Sequence, residues 1–227
     1  SYLLAAVEHS FPALQIGVAD IRSSFAGLRP LVQSADASNP SAVSRKHLLL
    51  QESNLVTITG GKLTTFRRMA REALLAVRPC FAGKAHFNFA RASFNRLPEL
   101  VPETDLPDEL LGRLLGRYGD EVMYLLESAR PDELKPFEDV TTLWAEIRWA
   151  AREESVVHLD DLLLRRTRLG LLAEQGGLPQ IEAIRAIAQP ELGWDDERWQ
   201  AEAERYALIW KSCYYIPSEE NSSPTAP

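Results

Sequence analysis

Apolar positions run along this chain in two rhythms, and the change between them falls near Pro98. Before it, short extended runs alternate with helix. Tyr2, Leu3, Leu4, Ala5, Ala6 and Val7 read as the middle of a helix that Phe11-Pro12 closes. Ile21, Ser23, Phe25, Leu28 and Leu31 fit an extended segment broken at Gly27. Residues 33–42 are polar and small, with Asn39-Pro40, and read as a loop. Residues 43–51 and 55–59 read as two strands of a hairpin joined through Glu52-Ser53-Asn54. Leu55, Val56, Thr57, Ile58 and Thr59 are apolar and β-branched, as a buried strand should be. Gly60-Gly61 ends that strand with two residues free to take positive φ. Residues 62–77 contain no Pro or Gly, and Leu63, Phe66, Ala70, Ala73, Leu74 and Val77 mark one helical face. Residues 78–102 are irregular, with Phe81, Phe87, Phe89 and Phe94 among small residues.

After Pro98 the period is helical throughout. Pro107-Asp108-Glu109 is a good helix start, with Pro in the first turn and acids at the positive end. Leu110, Leu111, Leu114, Leu115, Tyr118, Val122, Leu125 and Leu126 then repeat at helical spacing. Further helices are expected over 141–157, 159–172, 179–188 and 195–214, with Gly176-Gly177 as a stop. In the last of them Trp199, Tyr206, Ile209, Trp210 and Cys213 are the apolar positions. An aromatic stripe at this spacing reads as core rather than as a cofactor box. The expected fold is α+β or α/β. Residues 1–98 form a mixed sheet with a strand-GlyGly-helix unit, 99–215 an all-α domain, and 216–227 a disordered tail.

Composition sharpens the division. The chain has 227 residues and a net charge of −7. Residues 1–98 carry +7 and residues 99–227 carry −14. A basic first module suits anionic ligands such as a phosphate ester or a dinucleotide. It does not suit nucleic acid, because its basic residues are scattered and no stacking aromatics lie among them. No apolar run approaches the ~18–20 residues of a membrane span. Cys80 and Cys213 are far apart and without metal-ligand spacing, and read as two packing thiols in a reducing compartment. His9, His47, His86 and His158 form no metal-binding pattern, so no metal is expected.

The candidate chemistry centres on the glycine pair. A helix that starts there points unpaired N–H groups and a partial positive charge at whatever lies above the turn. That suits an anion or an electron-rich ring edge. Lys62 adds a full charge, and Thr64 and Thr65 add hydroxyls. A tight turn with a solvated lysine fits the local pattern equally well. Arg29 stands immediately before Pro30, which keeps its backbone extended and stiff, a setting for a two-pronged grip on phosphate or carboxylate. A surface arginine at a strand end is the alternative. Arg165, Arg166 and Arg168 suggest an anion site, but Asp161 lies four residues before Arg165, so an ion-paired face is the stronger expectation.

The string TITGGKLTTFRRMAREAL, with AGLRPL upstream and DDLLLRRTRLGLL downstream, resembles the FAD-dependent, quinone-linked glycerol-3-phosphate dehydrogenases. The likeness is dense over residues 21–75 and looser beyond. It implies that Gly60, Gly61, Lys62, Leu63 and Thr64 lie against the flavin, and that Arg29, Arg45 and Lys62 hold the substrate phosphate. His47, without a catalytic partner in its spacing, reads as structural. The family's ADP-binding glycines lie near the start of the full protein, and no GxGxxG occurs here. The chain therefore reads as the C-terminal fragment of such an enzyme, beginning inside a larger protein, with FAD not retained and no turnover when isolated. The implied partners are sn-glycerol 3-phosphate, a quinone, the N-terminal FAD-binding part and a second copy in a homo-oligomer. The implied place is cytoplasmic, peripheral on the inner membrane in the full-length enzyme, although no basic amphipathic helix demands a bilayer. The base that takes the hydroxyl proton is not identifiable. Alternatives are an oxidase using oxygen, a non-catalytic helical interaction module on a degenerate flavin fold, and a helical adaptor.

Overall fold

The computed structural model describes residues 2–28, 47–81 and 103–216. Arg29, Arg45, Phe87, Phe89, Phe94 and the expected tail lie outside the described residues. The described residues group into two compact units. One joins 2–26 with 103–216, and the other holds 27–28 and 47–81.

The chain starts with α1 (Tyr2–Ser10), which ends as Phe11 N–H bonds the Val7 carbonyl and Pro12 opens a 3₁₀ turn. Residues 21–26 run extended, as their spacing predicts, but their hydrogen bonds go to helix ends rather than to a sheet. Ser24 N–H donates to the Tyr214 carbonyl at 2.9 Å, and Ser23 Oγ to the Leu171 carbonyl at 2.8 Å. Arg22 pairs with Asp139 at 2.6 Å.

The second unit is a hairpin under a helix. Strand β1 (Leu48–Glu52) pairs antiparallel with β2 (Leu55–Thr59), with Leu49 opposite Ile58 and Glu52 opposite Leu55. Ser53 takes left-handed backbone (φ 48°) to close the two-residue turn. Helix α2 (Phe66–Val77) follows a 3₁₀ turn over Leu63–Thr65 and packs on both strands. Only one face of β2 is covered: Val56 and Ile58 are half-buried, while Leu55 is exposed. The expected fully buried strand is thus half-open, because among the described residues the sheet has two strands and one helix on it.

The helical unit consists of α3 (Asp108–Tyr118), α4 (Val122–Ser128), α5 (Trp144–Glu153), α6 (Leu169–Leu172), α7 (Ile181–Leu192) and α8 (Asp196–Cys213). Helix α5 is the centre. Ile147, Ala150 and Ala151 join Leu162, Leu163, Ile184, Trp199 and Tyr206 in one core. Ala145 and Trp149 join Leu114, Val122 and Leu125 in another. A helix between two cores is buried all round, which is why its polar positions Glu146 and Arg148 are buried too. The helix expected over 159–172 is instead a π-helical turn (Asp161–Arg166) and α6, parted at Arg168. Among the described residues the β pairing within 103–216 is limited to an isolated bridge, Pro136 to Leu143.

Buried charges in this unit come with partners. Arg148 bonds Glu133 at 2.8 Å through Nε and also reaches Glu191, which Arg152 grips at 2.8 Å. Glu202 receives His158 Nδ1 at 2.9 Å and the Leu159 N–H at 3.0 Å. Burial alone would raise Glu133, Asp160 and Glu202, but the donors around each outweigh it and hold all three below the usual carboxylate range. At mildly acid pH the folded chain therefore binds fewer protons than the unfolded one. Their stabilisation is complete above the unfolded carboxylate pKa and is lost as pH falls through the folded values. The urea midpoint is expected to drop steadily below about pH 5. A midpoint constant down to pH 3 would contradict this.

Both cysteines are exposed free thiols rather than packing residues. Cys213 sits on the outer side of the last turn of α8, where Trp210 takes the inward position. Among the described residues no helix is long and apolar enough to cross a membrane, and no group of His, Cys, Asp and Glu could hold a metal ion.

Candidate functional site

The site that the sequence points to is built on the hairpin and α2. Leaving β2, the backbone turns through Gly60 (φ 75°) and Gly61 (φ 78°), a conformation that any L side chain takes only with strain. Space also demands glycine at the second position. A Cβ on Gly61 would stand 2.4 Å from Met69 Sδ and 3.3 Å from His47 Cβ. The turn is wedged between the helix and the start of β1.

Lys62 follows in extended backbone and begins the 3₁₀ turn. Thr65 fastens that turn: its Oγ1 accepts from the Lys62 N–H at 3.0 Å and donates to the Lys62 carbonyl at 2.8 Å. The Thr65 hydroxyl is therefore spent on the backbone. Lys62, Leu63 and Thr64 are exposed, Leu63 at 88%. The turn thus offers outward the ammonium of Lys62, the hydroxyl of Thr64 and the amide end of the helix, all suited to an anion or an electron-rich ring edge.

One feature of the site is not readable from local pattern. His47 Nε2 meets Glu72 Oε2 at 2.5 Å, and Arg68 Nε donates to Glu72 Oε1 at 2.8 Å. The pair ties the first residue before β1 to the middle of α2, directly beside the glycine turn. Arg68 first and His47 second hold the Glu72 carboxyl below its usual range. His47 thus has a structural partner, 25 residues away in sequence. Met69, the floor under Gly61, was equally hidden. Its signal is the i, i+4, i+7 set Thr65, Met69 and Glu72, which faces the hairpin in place of the expected Leu63, Phe66 and Leu74.

Of the candidate residues, the structure brings Gly60, Gly61, Lys62, Leu63 and Thr64 together in one turn. Arg29 and Arg45 lie outside the described residues. The donor set fits the ring end of a flavin: backbone amides and one cation can meet charge on a pyrimidine edge. It offers no glycine-rich turn for the pyrophosphate.

A sequence model of the C-terminal domain of alpha-glycerophosphate oxidase matches residues 59–199, starting one residue before the glycine pair and running through α7 into the start of α8. Glycerol-3-phosphate dehydrogenase of Mycobacterium leprae is 30% identical over 203 residues, covering 83% of this chain and 34% of that protein. Glycerol-3-phosphate dehydrogenase 2 of Mycobacterium tuberculosis is 31% identical over 208 residues, covering 85% and 35%. The mitochondrial glycerol-3-phosphate dehydrogenase of Homo sapiens is 27% identical over 220 residues, covering 88% and 30%. The chain spans about a third of the length of the curated relatives it matches.

Proposed function

The chain belongs to the family of the alpha-glycerophosphate oxidase C-terminal domain, with glycerol-3-phosphate dehydrogenases among its relatives, and on that premise we propose that it serves an FAD-dependent enzyme oxidising sn-glycerol 3-phosphate to dihydroxyacetone phosphate. The observation that carries this reading is the Gly60-Gly61-Lys62 turn, left-handed at both glycines, exposed at Gly60 and Lys62 and leading into α2, at the point where the family match begins. FAD, when bound, would accept the hydride from the substrate C2 carbon.

The chain's own residues bind and stabilise. Lys62 and the amide end of the helix face charge that develops at the reaction centre and cost no reorganisation when it appears. Gly60 and Gly61 allow a ring to approach the backbone closely, which a Cβ would prevent. Arg29 and Arg45 hold the substrate phosphate, and Lys62 shares that task. The N-terminal part of the enzyme holds the remainder of the cofactor, so the chain by itself neither retains FAD nor turns over. Quinone is the acceptor in this reading. The family's oxidase name favours oxygen as the second reading, and stopped-flow reoxidation of the reduced enzyme with each acceptor separates the two.

The test is Arg29→Ala in the complete enzyme. A lost charge-assisted bond to phosphate costs about 1.5–3 kcal/mol, so substrate binding is expected to weaken roughly 10- to 100-fold with flavin content unchanged. Unchanged substrate binding would remove Arg29 from the site.

A further inference from the structure

Of the arginines in the run Arg165-Arg166-Thr167-Arg168, only the first is neutralised by its neighbours. Arg165 pairs with Asp161 at 2.9 Å and with Asp160. Among the described residues Arg166 and Arg168 make no ion pair, in a unit where Arg148, Arg152, Arg185, Arg198 and Arg205 all do. Both are exposed.

Their placement is costly in backbone terms. The π-helical turn Asp161–Arg166 closes as Thr167 bonds back to the Leu162 carbonyl, through N–H at 2.9 Å and Oγ1 at 2.7 Å. Arg168 then sits in left-handed backbone (φ 61°), where glycine would be unstrained. Buried Leu164 and Leu169 on either side hold it there. Interrupted helices and strained non-glycine residues of this kind gather at binding sites.

The turn forms one wall of a cleft of about 560 Å³. Arg117, at the end of α3, closes this wall by donating to the Arg166 carbonyl, while its Nε lies 3.8 Å from Glu146. The facing wall comes from the end of α5 and the turn after α3, and carries Glu121, Glu153 and Glu154. Burial raises the Glu154 carboxyl, and Arg117 and Arg166 oppose that rise. The cleft is therefore two-sided, with guanidinium on one flank and carboxylate on the other.

We propose that this cleft binds a hydroxylated phosphate ester. The phosphate lies on Arg166 and Arg168, whose flat forks match its oxygens in pairs. The hydroxyls donate to the carboxylates opposite, which accept hydrogen bonds but repel a second anionic group. The site thus selects a single phosphate on a polyol over a polyphosphate or a nucleic acid. A soluble glycerol phosphate and the headgroup of a glycerol-bearing phospholipid share this chemistry.

The experiment uses the whole 227-residue chain at low salt. One arm titrates sn-glycerol 3-phosphate and follows heat of binding. The other measures co-sedimentation with phosphatidylcholine vesicles with and without phosphatidylglycerol. Arg166→Ala with Arg168→Gly, where glycine keeps the left-handed backbone, is expected to weaken binding at least about tenfold in whichever arm shows it. Arg166→Glu alone, at an exposed position, gives a second reading without touching the strained residue and should weaken binding as strongly. Lys211→Ala, which removes an exposed cation of α8 outside the cleft, should leave it unchanged, so the loss is specific to the arginines. Binding in the first arm identifies a soluble ester, and binding only to phosphatidylglycerol vesicles identifies a lipid. Absence of binding in both arms, binding that survives the arginine substitutions, or an equal loss with Lys211→Ala would overturn the proposal.

Discussion

Glu146→Ala is expected to destabilise the helical unit by about 3–5 kcal/mol. Glu146 is fully buried on α5 and accepts from the Leu143 N–H at 2.7 Å, the Tyr118 hydroxyl at 2.9 Å and both terminal nitrogens of Arg113. Alanine leaves a buried phenol without an acceptor, a half-buried guanidinium without its counter-charge and a helix start without its cap. Those losses act together, because all the donors converge on one carboxylate. Glu146→Gln keeps an acceptor for the Leu143 N–H but loses the charge and turns an amide NH2 toward the Arg113 and Tyr118 donors, so about 1–3 kcal/mol is expected. Urea unfolding followed by tryptophan fluorescence measures both. A cost below about 1 kcal/mol for alanine would show that the network adds nothing net to the fold.

Gly61→Ala is expected to cost the complete enzyme at least about tenfold in kcat/KM, and Gly61→Val more. The left-handed backbone costs a Cβ-bearing residue about 1–2 kcal/mol. The new Cβ would also stand 2.4 Å from Met69 Sδ. Met69 is flexible and can swing aside, but His47, on the other flank, is tied to Glu72. Relief therefore comes from shifting the turn itself, which moves Lys62 and the helix amides off their target. A displacement of about 1 Å at such a site can cost about a hundredfold. Gly27→Ala is the control, since a Cβ there meets nothing within 4 Å and its backbone is not left-handed. Equal activity of the Gly61 and Gly27 variants would show that the turn does not position catalytic groups.

The hairpin and the glycine turn were legible because short-range chemistry decides them. Short apolar and β-branched runs at β1 and β2, a turn through Glu52-Ser53-Asn54 and paired glycines leave few alternatives. The face of α2 was not. Leu63, Phe66 and Leu74 promise a buried stripe, yet they are exposed, and Glu72 lies on the packed side because His47 and Arg68 neutralise it. Hydrophobic period alone cannot register an ion pair that spans 25 residues. The same limit hid Glu146 and Arg148, polar residues buried by a helix that has core on both sides. The break at Arg168 was hidden too, because Leu162, Leu163, Leu164 and Leu169 keep an apolar rhythm through a π-helical turn. Sequence did supply the arginine run and its expected ion pair. The structure assigns that pair to Arg165 and leaves Arg166 and Arg168 without one among the described residues.

The central claim is that this chain forms part of the wall of a flavin site that oxidises a glycerol phosphate. The complete protein, purified and made anaerobic, should show a flavin absorbance spectrum that bleaches on mixing with sn-glycerol 3-phosphate. Glycerol, which lacks the phosphate that Arg29, Arg45 and Lys62 are proposed to hold, should leave it unchanged at the same concentration. A protein without flavin, or a flavin that stays oxidised with glycerol 3-phosphate, would contradict the account.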